Sequence, residues 1–161
     1  MTVFDRAAAH IRSISPYQPG KPISELAREM GLDEATIVKL ASNENPLGMS
    51  SRASAAALAA LADIPRYPDG NGFDLKQAVS QHHDIGMDQI VLGNGSNDVL
   101  EMVARALLGP GRSAVYSRHA FAVYPLATLA AGAVGIEVPA RDFGCDLDAM
   151  RDAIRDDTRV V

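Results

Sequence analysis

The segment Val91-Leu-Gly-Asn-Gly-Ser-Asn-Asp-Val-Leu-Glu101 runs from a short apolar stretch into a glycine-containing polar turn and out into a helical pattern. Val99, Leu100, Val103, Ala104, Leu107 and Leu108 recur at three- and four-residue spacing, which places them on one face of a helix. Gly109-Pro110 predicts the end of that helix. A strand, a small-residue turn and a helix start make an anion site in outline. The N–H groups of the first turn lack intrahelical acceptors, and the helix dipole is positive there. Two familiar phosphate loops do not fit. A P-loop carries Gly-Lys-Ser/Thr into its helix, whereas Gly95 is followed by Ser96-Asn97 with no lysine near. The dinucleotide fingerprint needs a third small residue where Asp98 stands, and it opens a domain, whereas this turn lies past mid-chain. On the local pattern alone, an ordinary strand-to-helix connection capped by Ser96 or Asn97 stays open.

Outward from the turn, strand and helix patterns alternate. Residues 90–92, 114–116 and 134–138 read as strands, and 98–108, 122–131 and 147–154 as helices. This alternation predicts βαβ units and a parallel sheet covered by helices. Thr158-Arg-Val-Val161 reads as the opening of another strand, so the 161 residues are expected to be part of a longer design; a short edge strand is the alternative. Towards the N-terminus the pattern is less regular. A helix is expected over 3–12, ended by the turn-rich segment 15–20. Ile23, Leu26, Ala27 and Met30 form a one-sided helix that Gly31 stops. Residues 36–41 read as a strand leading into the loop Ser42-Asn-Glu-Asn-Pro-Leu-Gly48. Ser50 or Ser51 caps an alanine-rich helix to about residue 62, residues 65–72 form a loop, and 74–83 return to helix.

Composition narrows the function classes. With 47% hydrophobic and 22% charged residues the chain reads as a globular protein with its own core. A formal charge of -5 argues against nucleic-acid or anionic-membrane partners. The single cysteine, Cys145, excludes an internal disulfide and fits a reducing compartment. The N-terminus lacks a signal-peptide pattern, and the alanine-rich run over 54–62 is too short to span a bilayer, so a cytoplasmic location is expected. No metal site is expected: His82 and His83 are adjacent on a helix and diverge by about 100°, and His10 and His119 are isolated. There is no Gly-x-Ser-x-Gly elbow, and Cys145 has no base beside it in sequence. Asp156-Asp157 reads as a solvated turn. What remains is a set of polar and aromatic residues in loops: Tyr17, Asn43, Glu44, Asn45, Tyr67, Asn71, the Gly95 turn, Phe121 and Tyr124. A phosphate-binding helix start combined with an aromatic that could cover a flat ring points to a phosphorylated heteroaromatic cofactor.

Five stretches carry a resemblance. They are Pro16-Tyr-Gln-Pro-Gly-Lys21, Leu40-Ala-Ser-Asn-Glu-Asn-Pro-Leu-Gly48, Arg66-Tyr-Pro-Asp-Gly-Asn-Gly-Phe-Asp-Leu75, Gly93-Asn-Gly-Ser-Asn-Asp-Val-Leu-Glu101 and His119-Ala-Phe-Ala-Val-Tyr-Pro125. In this order and at this spacing the chain resembles the N-terminal part of the pyridoxal-phosphate-dependent aminotransferases of fold type I, with the histidinol-phosphate branch its nearest match. The resemblance implies an α/β fold. An N-terminal arm and partial small domain (residues 1–48) would be followed by the first half of a mostly parallel, helix-covered sheet (residues 49–161), the large cofactor-binding domain in incomplete form.

The resemblance also implies roles. Gly95, Ser96 and Asn97 would hold the phosphate of pyridoxal phosphate through backbone N–H groups, although relatives place an acid at the position of Asn97. Phe121 would stack on the cofactor ring, where many relatives carry tyrosine. Tyr67 would reach the cofactor phosphate of the partner subunit in a homodimer, and Tyr17 and Asn45 would lie on the substrate side. The reaction implied is amino transfer between histidinol phosphate and 2-oxoglutarate in histidine biosynthesis. The family's Schiff-base lysine, pyridinium aspartate and carboxylate-binding arginine lie further along than Val161. Lys21, Lys39 and Lys76 stand in turn, strand and helix contexts that do not match the lysine, so no catalytic residue is assigned. The chain alone is expected to be inactive and to bind the cofactor weakly or not at all. Alternatives are an aromatic-amino-acid aminotransferase or phosphate-ester decarboxylase of the same fold, or a non-catalytic module that dimerises and binds phosphate.

Overall fold

The computed structural model describes residues 2–161, whose contacts divide into two units: residues 2–16 with 74–161, and residues 17–73. This division follows packing, whereas the boundary at residue 48 was drawn from sequence resemblance.

In the first unit, Ser113–Ser117 forms strand β1, Val134–Val138 forms β2 and Thr158–Val160 forms β3. The order is β2-β1-β3 with both pairings parallel, and Ser113 to Ser117 face Val134 to Val138 residue for residue. Parallel neighbours need crossovers, and helices α6 (Val123–Ala130) and α7 (Leu147–Asp152) supply them. The Ser-Ala-Val-Tyr-Ser sequence of β1 suits a central strand: Ser113, Ala114, Val115 and Ser117 are buried. Gly135 sits beside the Tyr116 ring, and a Cβ there would lie 3.0 Å from Tyr116 Cζ.

The hydroxyl of buried Ser113 donates to the Asp157 carboxylate at 3.0 Å and shares a 2.9 Å hydrogen bond with the Thr158 hydroxyl. The Ser113 N–H donates to the Asp157 carbonyl at 3.0 Å. Hydrogen bonds from the Arg155 guanidinium at 2.9 and 2.8 Å hold the Asp157 carboxyl below its ordinary range, and the Ser113 bond adds to this. Asp156-Asp157 is a turn, as expected, and within it the part-exposed Asp157 also pins the start of β3 to the start of β1.

Helix α1 (Ala9–Arg12) packs on α6, and α5 (Ser96–Leu107) packs on α6 and β3. Ala104 of α5 and Ala127 of α6 are buried, small side chains that let helices approach closely. The expected helix over 3–12 is in fact a 3-10 turn, Phe4–Arg6, followed by α1, because Ala7 and Ala8 are extended. A helix of this length is marginal without a packed face, and no residue of either piece is buried.

The unit 17–73 contains α2 (Ile23–Met30) and α3 (Ser51–Ala60), and α4 (Phe73–His83) begins at its last residue. Gly31 ends α2 in the left-handed conformation at φ 65°, with its N–H on the Ala27 carbonyl. Ser50 caps α3 by accepting the Ala53 N–H at 3.1 Å. Two expected strands are absent. Residues 37–40 and 90–92 pair with no strand among the described residues, although Ile37 and Ile90 are extended. An extended segment becomes a strand only when a neighbour takes its N–H and C=O groups. Val38 and Leu40 are instead 80% and 94% exposed. Among the described residues no helix is long and apolar enough to cross a membrane.

Candidate functional site

The turn before α5 is shaped by two glycines for different reasons. Gly95 is the N-cap at φ 85°, ψ 175°, a conformation open to glycine and costly for L side chains. The cap is therefore not Ser96 or Asn97, and no side chain caps this helix. Gly93 packs on the helix it precedes: an added Cβ would lie 3.0 Å from Asp98 Cβ and Val99 Cγ2, and 3.3 Å from Met102 Cε. The Gly95 N–H donates back to the Gly93 carbonyl at 2.9 Å. The Asn94 N–H donates to Asp98 Oδ2 at 2.9 Å. Among the described residues, no hydrogen bond occupies the N–H groups of the exposed Ser96 and Asn97. Of the three residues expected at this turn, Gly95 bends the chain and Ser96 and Asn97 are the free donors.

Phe121 lies in the loop leaving the carboxyl end of β1, partly exposed, and its carbonyl accepts the Tyr124 N–H at 3.0 Å where α6 begins. Nearby in that loop, His119 is in ring contact with Phe143 at 6.4 Å. Phe143 occupies the tight turn between Arg141 and Gly144, where Asp142 and Phe143 both have positive φ, 50° and 62°.

The other expected residues belong to the unit 17–73. Asn45 spends its amide on its own loop: Nδ2 donates to the Gly48 carbonyl at 3.1 Å and Oδ1 accepts the Leu47 N–H at 3.0 Å. Tyr67 is fully exposed, and Tyr17 is about half exposed. Lys39, only 17% exposed, bonds Glu44 at 2.7 Å next to Asn45, a pairing that a strand over 36–41 does not imply. Lys21 bonds Glu29 at 2.5 Å and Glu25 at 3.7 Å, and the Glu29 bond raises its pKa. The role of Asp98 was also missed. Its signal was an acid three residues past the turn glycine, the place of the acidic member of a capping box.

A cavity of about 360 Å³ lies elsewhere, lined by Leu100, Val103, Tyr124, Met150 and Val160 among others. It has no charged side chain; of the candidate residues Tyr124 lines it, whereas Gly95, Ser96, Asn97, Phe121, Tyr67, Tyr17 and Asn45 do not. Among the described residues no group of three His, Cys, Asp or Glu side chains could hold a metal ion.

Comparison with known proteins gives the family. The family model for aminotransferase class I and II matches residues 35–161. Over all 161 residues the chain is 65% identical to histidinol-phosphate aminotransferase 2 of Nitrosospira multiformis, covering 41% of that protein. Over 155 residues, 96% of the chain, it is 68% identical to histidinol-phosphate aminotransferase 1 of Thiobacillus denitrificans and covers 40% of it. The crystal structure of histidinol-phosphate aminotransferase from Sinorhizobium meliloti, in complex with pyridoxal-5'-phosphate, matches with a TM-score of 0.77 and 25% identity, over 94% of this chain and 40% of that one. The chain thus spans about 40% of the length of the curated relatives it matches.

Proposed function

The chain belongs to the class I and II aminotransferase family, and on that premise we propose that the turn at Gly95, Ser96 and Asn97 holds the phosphate of pyridoxal phosphate in an enzyme transferring an amino group between histidinol phosphate and 2-oxoglutarate. The observation that carries the reading is the pair of unoccupied N–H groups on Ser96 and Asn97 at the start of α5. The residues fit the group. Gly95 supplies the bend, the missing Cβ at Gly93 lets the loop lie close on the helix, and the dipole of α5 favours an anion at its start. Bound there, the cofactor supplies an electron sink for carbanion chemistry at the substrate carbon.

The same reading gives Phe121 the face of the cofactor ring and Tyr67 a contact to the phosphate held by the partner in a homodimer. Tyr17 borders the substrate. Asn45 borders it too, and acts through the shape of the loop that consumes its amide. The arm and small-domain segment would run over 1–48 and the cofactor domain over 49–161. Lys21 and Lys39 are held in ion pairs with glutamates, and none of the three lysines is assigned to carry the cofactor. The 161 residues by themselves are expected to transfer no amino group.

The test is steady-state kinetics on the protein at the full length of its relatives, comparing histidinol phosphate with phenylalanine as donor to 2-oxoglutarate. Higher kcat/KM for histidinol phosphate is expected; preference for phenylalanine, or decarboxylation in place of transfer, overturns the assignment. For the 161-residue chain, borohydride reduction with pyridoxal phosphate followed by peptide mass mapping is expected to label no single lysine.

A further inference from the structure

The Asn94 N–H, one residue ahead of the Gly95 bend, is taken up by the chain itself: Asp98 accepts it at 2.9 Å from within the first turn of α5. Asp98 Cβ is also one of the two nearest atoms that a side chain at Gly93 would meet, at 3.0 Å. Gly95 closes the same loop from the other end by donating to the Gly93 carbonyl. Residues 93–95 are thus folded back on the helix at both ends, and the Ser96 and Asn97 N–H groups are among the donors left over at the helix start.

We propose that Asp98 is a positioning residue for the phosphate turn, its carboxylate stapling the Asn94 N–H so that the loop presents the Ser96 and Asn97 amides to the ligand. This rests on the cradle reading above. A carboxylate in the first turn of a helix is favoured by the dipole, but it also repels an anion at the same helix end. Engagement with Asn94 resolves the conflict: the acid satisfies a donor that the ligand does not use. The staple requires an acceptor at position 98, whereas the charge itself opposes phosphate. Asp98→Asn and Asp98→Ala separate the two, because an asparagine Oδ1 still accepts from Asn94 and an alanine cannot.

The test is amide exchange and ¹H–¹⁵N spectra of the cofactor-free protein at the full length of its relatives, as wild type, D98N and D98A, titrated with inorganic phosphate and then with pyridoxal phosphate. Asn94 exchange is expected to be slow in wild type and D98N and about tenfold faster in D98A, the scale of one lost hydrogen bond to a charged group. Phosphate is expected to shift the Ser96 and Asn97 amides in wild type, no more weakly in D98N, and about tenfold more weakly in D98A. Circular dichroism of D98A checks that α5 is retained. A wild-type phosphate response that D98A keeps in full, or Asn94 exchange equal in both, overturns the role of Asp98 alone. Absence of any phosphate response at Ser96 and Asn97 in wild type overturns the cradle, and with it the role of Asp98.

Discussion

At the scale of single residues, the turn depends on what glycine permits and on where carboxylates go. Gly95→Ala forces an L side chain into φ 85°, ψ 175°, at a cost of about 1–3 kcal/mol. The expected outcome is lower denaturant stability together with loss of phosphate-induced shifts at Ser96 and Asn97; unchanged stability would show that the bend tolerates a side chain. Asp157 makes a second prediction. Its folded-state pKa lies below the ordinary carboxylate value because Arg155, and then Ser113, bond to the charged form. A depressed carboxylate contributes stability above its unfolded pKa and loses it as pH falls through the folded value. Asp157→Asn is therefore expected to be less stable than wild type near neutral pH, with the difference shrinking towards acid. Chemical denaturation at several pH values measures it, and a gap independent of pH would refute it. The Gly95 bend was legible in the sequence, since a helix start after glycines needs only local chemistry. The Asp157 contact was not, because Ser113 lies 44 residues away in the chain.

At the scale of elements, β1 and β2 form because the stretches that become them are rich in β-branched and small residues and are joined by a helical crossover. Their pairing places Gly135 against the Tyr116 ring. Burial, and then Glu137, raise the Tyr116 pKa above the usual phenol value. Gly135→Ala is expected to push this ring aside, at a cost of about 1–3 kcal/mol for overpacking. Released into water, Tyr116 is expected to titrate closer to an ordinary phenol. NMR titration of the tyrosine ring reads this directly, and an unmoved Tyr116 pKa in a stable variant would contradict the packing. The helices follow their sequence cues closely: Gly31 stops α2, and Ser50 rather than Ser51 caps α3. Each boundary depends on one or two hydrogen bonds within four residues, which is why periodicity and capping chemistry locate them.

At the scale of the whole molecule, burial is concentrated in one unit. Among the described residues, Ala27 is the one buried residue of the unit 17–73, whereas β1, β2, α5 and α6 contribute the rest of the core together with Ile90 and Ala133. Local opening follows contact density and backbone exposure. Limited proteolysis is expected to cut first in 37–48 or 64–72, leaving a resistant piece that contains 113–160. Early cleavage within β1 or β2 would overturn this.

The sequence by itself determined the features that close over a few residues: the turn and helix at Gly95, the stop at Gly31, the cap at Ser50, the β1–α6–β2 crossover and the family. These rest on local φ, capping and periodicity, which are written in consecutive residues. The tertiary structure decided which extended segments become strands. Residues 113–117 gained two neighbours, while 37–40 and 90–92, equally apolar, have none among the described residues. Tertiary structure also decided that Asp157, in a part-exposed turn, bonds Ser113 at the start of β1. Strand pairing and buried hydrogen bonds depend on partners far along the chain, and no local pattern names the partner.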